Sequence, residues 1–461
     1  MSLGFYALLE NFQNILQGAS MLVLICGMGI YLTLRTRFFQ VRGLPFVLRA
    51  TLASLFKKDA GSGSGGISPF QAVSTALAGT MGVGNIAGVA TALTLGGAGA
   101  LFWMWVSSFF GMMTKYAEVV LAVRYREKSQ GGGWYGGPMY YMEKGLGKRW
   151  MAKLFAVFCA AGSFGIGNMT QVNAVSGAAR VAFGVPLWVT GLFTAIIVAL
   201  VIFGGVRRIA TVAEIVIPFI SVAYIAACVF ALVHSSDYLS GAVNLVFAQA
   251  FTLQSAVGGV AGYGLLTALR YGVSRGVFTN EAGMGAASIA HAAADCKSPQ
   301  HQGAWGIFEV FLDTNTVCTL TGLVLLTAGG GALWQSGLDG VEMTTAAFVS
   351  VFGPMGARFI ALSVMIFAVA GMLGWCLYGE TSVGYLTGRS GRSIFIYRGA
   401  FILLVFVGAI SELRAIWELT DALNALMAIP NIAALWLLRK QITLPRVLDY
   451  RQRQWQRLAQ K

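Results

Sequence analysis

The chain has 461 residues, 57% of them hydrophobic and 11% charged, and a formal net charge of +14. Soluble domains carry about a quarter charged residues, so the composition excludes a water-soluble globular protein and leaves no region for a separate soluble module. The positive balance does not call for a nucleic-acid partner, because it is sorted among loops rather than gathered on one solvated face.

Stretches of about 20 apolar residues, the length that crosses a hydrocarbon core, recur along the whole chain. In chain order they predict about eleven spans, at 14–34, 67–95, 99–123, 151–176, 186–204, 209–233, 255–294 with a break, 303–328, 357–388, 395–411 and 416–438. The first has no basic stretch before it and is followed by Arg35, Arg37 and Arg42. It reads as a retained helix rather than a cleaved signal peptide.

One set of loops holds nearly all the basic residues, among them Arg49, Arg124, Arg126, Lys144, Lys148, Arg149, Arg207, Arg208, Lys297, Arg389, Arg392, Arg398 and the tail 439–461. The opposite loops hold little beyond Arg180, Arg358 and Arg414, with Asp237, Asp339, Glu342 and Glu412. Cytoplasmic loops attract Lys and Arg, so the amino terminus is expected outside and the carboxyl terminus in the cytoplasm.

Two spans are interrupted. Residues 74–93 read STALAGTMGVGNIAGVATAL and residues 276–294 read GVFTNEAGMGAASIAHAAA. Glycines and polar residues at membrane depth are tolerated only where backbone lines a protected cavity. Broken helices at matching places in two halves of a chain point to the binding site of a secondary transporter. With the first span set aside, the interruptions fall in the first and sixth of the ten that remain. An offset of five reverses the direction of crossing, so the halves form an inverted repeat. The expected fold is thus an all-α integral membrane protein, one extra amino-terminal helix plus a 5+5 inverted repeat whose first helices are discontinuous. Residues 1–60 form the extra helix and a cytoplasmic amphipathic segment, 67–233 the first repeat, 255–438 the second, and 439–461 a basic tail.

Between the third and fourth spans, GGGWYGGPMYYMEKGLGKRW at 131–150 is placed at the cytoplasmic interface, with Trp134, Tyr135, Tyr140 and Tyr141 near headgroup depth. The stretch GSGSGG at 61–66 is a flexible entry to the first broken helix. The loop 329–354 has an apolar run of its own and is expected to form a short lid helix.

Gly79, Gly82, Gly84 and Gly88 remove side chains from the first interruption, so its backbone can meet a ligand directly. Unwinding frees carbonyls, which suit a small cation or an ammonium group, and N–H groups at a positive helix end, which suit a carboxylate. A zwitterionic amino acid with sodium matches that pair of requirements. GVGNIAG is not a dinucleotide loop, because its third glycine falls one place late and no strand precedes it. In the second interruption Glu281 is flanked by Arg275. It either pairs with that arginine or contacts the ligand. Lys115 and Glu118, three apart on one helix, are expected to form a buried or snorkelling ion pair. Glu214, Glu309 and Asp313 are proton carriers or helix-locking groups. Thr381 and Ser382 either back-bond to their own helix or face a ligand. The six cysteines and His234, His291 and His301 show no ligand spacing, and no metal cluster or HExxH is present. No transition-metal site, cofactor or enzymatic activity is expected.

GGAGALFWMWVSSFFG at 96–111 resembles the signature of the alanine or glycine:cation symporter family, also called the sodium:alanine symporters. GTMGVGNIAGVATAL, GGPMYYMEKGL and TNEAGMGAASIAHAAA resemble further blocks of that family, and the likeness extends over nearly the whole chain. The resemblance implies a leucine-transporter-like fold and sodium-driven uptake of alanine or glycine across a bacterial inner membrane by a monomer. It implies that Val83 and Gly84 hold the substrate carboxylate, with Gly79, Thr80 and Asn85 beside them. Phe278, Thr279 and Asn280 take the ammonium group, and Gln171 and Trp375 line the rest of the pocket. It places sodium on the carbonyls of Ala78, Met81 and Tyr378 and the hydroxyls of Thr381 and Ser382. A second sodium, found in some relatives of the fold, is put in doubt because Gly79 offers no side chain. The rival readings are proton coupling through Glu281 or Glu309 and, more distantly, a membrane-embedded enzyme.

Overall fold

The computed structural model describes residues 19–55, 66–129, 132–251, 264–411 and 414–445. The start of the expected first span, the stretch 61–65, Lys57 and Lys58, the beginning of the seventh span at 255–263 and the tail from 446 lie outside the described residues.

The described chain is almost wholly helical. Its main helices, beside the short ones at Phe39–Arg42, Leu44–Ala50 and Leu52–Leu55, are α1 (Ala19–Arg35), α2 (Pro69–Thr80), α3 (Val89–Gly96), α4 (Gly99–Arg124), α5 (Arg149–Phe164), α6 (Thr170–Phe183), α7 (Leu187–Ile202), α8 (Gly205–His234) and α9 (Ser236–Ala250). They continue as α10 (Leu265–Asn280), α11 (Ser288–Ala292), α12 (Pro299–Val310), α13 (Thr319–Thr327), α14 (Gly340–Phe352), α15 (Pro354–Leu386), α16 (Gly391–Ile410) and α17 (Arg414–Leu437). Among the described residues, 6 helical stretches are long and apolar enough to cross a membrane. The bent pair formed by α2 and the helix Gly84–Gly96 makes a further span if counted as one. The expected spans at 14–34, 186–204 and 416–438 coincide with shorter apolar helices.

The apolar surface is where a bilayer solvates it. Along α8, Ile215, Phe219, Val222, Phe230 and Val233 are exposed, while Ile217, Ile220 and Tyr224 are buried. The central helix is α4, whose inner half buries Lys115 and Glu118 completely. Its tryptophan-rich start is a packing device. Trp103 Nε1 donates to Ala250 O (3.1 Å) and Trp105 Nε1 to Thr319 Oγ1 (2.8 Å). Gly272 and Gly276 let α10 lie so close to α4 that a methyl on either would strike Ala100, Trp103 or Ser107, the close approach small residues give membrane helices.

The segment expected at the interface is partly internal. A hairpin of β1 (Glu127–Lys128) and β2 (Trp134–Tyr135) leads into a short helix, Pro138–Tyr140. Tyr140 and Tyr141 are buried rather than at headgroup depth, because the Tyr141 hydroxyl donates to Asn431 of α17.

Candidate functional site

The first break is specified at both ends. Ser68 caps α2 by accepting from Gln71 N (3.0 Å), and Gln71 Oε1 accepts from Ser68 N (2.9 Å), a capping box with Pro69 in the first turn. At the far end Met81 turns extended (φ −78, ψ 92) and ends the helix. The next half-helix opens at Gly84, bent by 53° from the first. Gly82 N donates to Asn85 Oδ1 (3.1 Å), closing the break locally. The N–H groups of Val83 and Gly84 stand at the start of the new half-helix, where none has a partner within the helix.

The second break follows α10. Glu281 takes the left-handed conformation (φ 55) that ends the helix, and Gly283 (φ 98) and Gly285 (φ 82) carry the chain on to α11. Glycine accepts such dihedrals without strain; Glu281 is held there by its N–H donating to Val277 O (2.8 Å).

Asp313, in the π-turn Phe311–Cys318 that follows α12, joins the two breaks. Its carboxylate accepts from Asn85 Nδ2 (2.7 Å) and from Thr314 Oγ1 (2.8 Å), and Thr314 in turn accepts from Asn280 Nδ2 (3.2 Å). Asn280 Oδ1 also accepts from Ala282 N (3.0 Å). Asn85, Thr279 and Asn280 are therefore turned into a buried polar cluster with Asp313. Asp313 acts here as a helix-locking group.

Gly79, Thr80, Gly82, Gly84, Ile166, Gln171, Phe278, Glu281 and Trp375 line a central cavity of about 10 Å³, close to the room one water needs. Trp375 is fully buried, packs edge-on to Tyr378 with ring centroids 5.4 Å apart, and presses so closely on Gly167 that no Cβ fits there. Gly84 and Phe278 also line a wider cavity of about 1040 Å³, together with Val83, Asn173, Arg275 and Glu342. The helix α14 within the loop 329–354 walls this vestibule. The opposite end is fastened. Asp295 N donates to Ile67 O (2.8 Å), Gln71 Nε2 donates to Glu214 Oε2 (2.9 Å), and Arg126 donates to the carbonyls of Ala292 and Ala294 while stacking over Trp134.

Ala78, Met81, Tyr378, Thr381 and Ser382 are all buried where α2 and α15 pack together. Thr381 Oγ1 donates to Leu377 O (2.8 Å) and Ser382 Oγ to Tyr378 O (2.9 Å), each bonding back to its own helix. Both hydroxyls keep lone pairs for a cation.

One charge pairing differs from the sequence reading, and two further contacts are decided by packing. Lys115 pairs with Glu309 of α12 (3.2 Å), not with Glu118; Glu118 accepts from Gly283 N (2.9 Å) and Asn431 Nδ2 (2.7 Å). Their shared helix face sets their direction, but each reaches a different neighbour. Arg275 lies over the Phe278 ring, 5.7 Å from its centroid, and Glu281 is left without it. His291 Nε2 sits 2.8 Å from Glu309 Oε2, a carboxylate brought to it by packing. The sequence GVSRG at 272–276 has the GxSxG spacing, but it lies inside α10 with no strand ahead of it, so it is no nucleophile elbow. Ile166 was missing from the expected pocket; the glycines of GSFGIGN at 162–168, where the helix after α5 loosens into a π-turn, were its signal.

A family model described as the sodium:alanine symporter family matches residues 3–461. The chain is 45% identical over 439 residues to the sodium/alanine symporter AgcS of Methanococcus maripaludis, covering 94% of this chain and 95% of that protein. It is 44% identical over 450 residues to an uncharacterized transporter of Haemophilus influenzae, covering 97% and 96%. Among solved structures, MhsT in complex with L-phenylalanine superposes with a TM-score of 0.58 at 15% identity, covering 81% of this chain and 90% of MhsT. That likeness is one of fold.

Proposed function

Taking as premise that the chain belongs to the sodium:alanine symporter family, we propose that it couples sodium entry to the uptake of small neutral amino acids, above all alanine and glycine. The family and the relatives are transporters, so the protein is a cation-coupled amino acid symporter and not an enzyme. The finer reading rests on one observation: at the meeting of two broken helices, Gly79, Gly82 and Gly84 line a small central cavity together with Gln171 and Trp375.

In this reading the substrate carboxylate lies against the N–H groups of Val83 and Gly84, with Thr80 and Gly79 alongside. The ammonium group faces the carbonyl end of α10 at Phe278 and Thr279, near Asn280. Gln171 and Trp375 limit the side chain to about one methyl. Sodium is held by the carbonyls of Ala78, Met81 and Tyr378 and the hydroxyls of Thr381 and Ser382, a neutral oxygen cage that does not need to titrate. Bound sodium stiffens the unwound stretch between α2 and α3, so each ligand tightens the other by about 1–3 kcal/mol, reciprocally. The spans are read as eleven, one extra helix and an inverted 5+5 repeat in a monomer, with the amino terminus outside the bacterial inner membrane and the carboxyl terminus in the cytoplasm. Rocking of one helix group against the other then exposes the site to each side in turn. Glu309 is poorly suited to carry a proton, because its oxygens are committed to Lys115 and His291.

Counterflow of labelled alanine in proteoliposomes, with sodium and pH gradients varied separately, tests this. A sodium gradient alone should drive uptake and potassium should not replace it. Uptake that persists in choline buffer and collapses only with a proton uncoupler would overturn the ion assignment.

A further inference from the structure

The central cavity contains a carboxylate that no cation answers. Glu281 is 1% exposed and lines the cavity, yet its Oε2 has no hydrogen-bond partner. Among the described residues no cation lies within ion-pair distance of it: Lys115 is taken by Glu309, and Arg275 is turned to Phe278 and the vestibule. Gln171, reaching the same cavity from α6, likewise has an Oε1 without a partner. The cavity therefore presents two acceptor oxygens without a partner, one of them on the carboxylate of Glu281, which also has the Trp375 side chain as a neighbour, and no positive charge of its own.

Buried carboxylates persist where a cation or several donors meet them, since an isolated buried charge is among the costliest features a protein can hold. The backbone explains why this one stays in place. The left-handed turn at Glu281 ends α10 and fixes the residue at the break, so its side chain is presented to the site by the same geometry that unwinds the helix.

We infer that Glu281 is the charged ligand of the substrate's ammonium group, with the amide oxygen of Gln171 as a second acceptor. This rests on the transport reading above and deepens it. An α-ammonium group carries three donors and no acceptor; Glu281 Oε2 and Gln171 Oε1 take two, and a carbonyl at the end of α10 takes the third. The ammonium group then pairs with the buried carboxylate as it binds, and the negative charge passes to the substrate's own carboxylate, which meets N–H groups on the other broken helix. Selectivity follows from the pairing. A molecule of alanine's size with a carboxylate but no ammonium leaves Glu281 buried and unpaired, and is refused.

The experiment uses the full-length protein in detergent, with alanine and sodium binding measured separately by calorimetry. Glu281→Gln keeps the shape and removes the charge; alanine affinity should fall about tenfold or more, while sodium binding without alanine is unchanged. Unchanged alanine affinity overturns the inference. So does an equal loss of sodium binding in the substrate-free variant, which would make Glu281 a ligand of the coupling ion. If the variant does not fold, competition on the unaltered protein decides: propionate and lactate should fail to displace alanine even at about hundredfold excess, and displacement by either at concentrations comparable to alanine overturns the proposal. Absence of alanine binding in the unaltered protein sinks the transport reading as well, whereas normal alanine binding by Glu281→Gln sinks this inference alone.

Discussion

Asn85 Nδ2 donates to Asp313 Oδ1 at 2.7 Å, although the two residues are 228 apart in sequence. The same asparagine accepts from Gly82 N within its own break. One side chain thus closes the first interruption locally and ties it to the turn that also holds Asn280. Asp313→Ala leaves the Asn85 amide buried without its main acceptor, a loss of about 1–3 kcal/mol. The expected outcome is a lowered melting temperature and weakened alanine binding together, read by differential scanning fluorimetry and ligand titration. Intact binding in a destabilised variant would separate the cluster from the site.

Lys115 and Glu309 form a fully buried pair. Lys115→Met strands a buried carboxylate, and removal of one partner typically costs about 3–5 kcal/mol. Adding Glu309→Gln should restore part of that stability. A double variant as unstable as the sum of the two single ones would show that the pair is not coupled.

At Gly84 an added methyl would stand 3.1 Å from Thr279 Cγ2 and 3.4 Å from Phe278 Cδ1. Gly84→Ala should lower alanine affinity about tenfold or more, since it crowds the N–H groups that donate charge-assisted bonds to the carboxylate. Normal affinity in a competition assay would move the carboxylate elsewhere.

Trp375 roofs the cavity, so Trp375→Ala should admit larger neutral amino acids and bind alanine more weakly. Leucine competition in a well-folded variant is the readout. Continued rejection of leucine would mean that another wall sets the size limit.

The double variant Thr381→Ala and Ser382→Ala should raise the sodium concentration for half-maximal uptake, with partial relief at excess sodium. Both hydroxyls already bond to carbonyls in α15, so an unaltered sodium dependence would assign them to that helix alone.

The interruptions were legible in the sequence because glycine and polar residues at membrane depth are costly wherever lipid, rather than a protected cavity, surrounds them. The tryptophan-rich stretch at 96–111 marked the family, and the structure gives its physical reason in the close contact of α4 with α10. Partnerships across helices were not legible. Periodicity puts Lys115 and Glu118 on one face but does not say which helix each will meet, and residues 194 positions apart, Lys115 and Glu309, leave no spacing to read. The separation of Glu281 from Arg275 was hidden for a related reason, because a left-handed residue at a helix end redirects a side chain in a way that helical spacing does not foresee. Side-chain orientation likewise decided the fate of Asn85 and Asn280, which sit at the breaks but turn away from the cavity.

The fastening of Ile67 to the stretch after α11 bears on the transport cycle. Before the cavity can be reached from that end, the backbone bonds between Ile67 and 293–295, the grip of Arg126 on two carbonyls and the Gln71–Glu214 bond must all be released. At about 0.5–1.5 kcal/mol for each ordinary bond, that handful adds several kcal/mol to the stability of the closed end. Gly84 and Phe278 belong to the walls of both the central cavity and the vestibule, so the fastened end is the one whose bonds an alternating-access cycle would have to exchange.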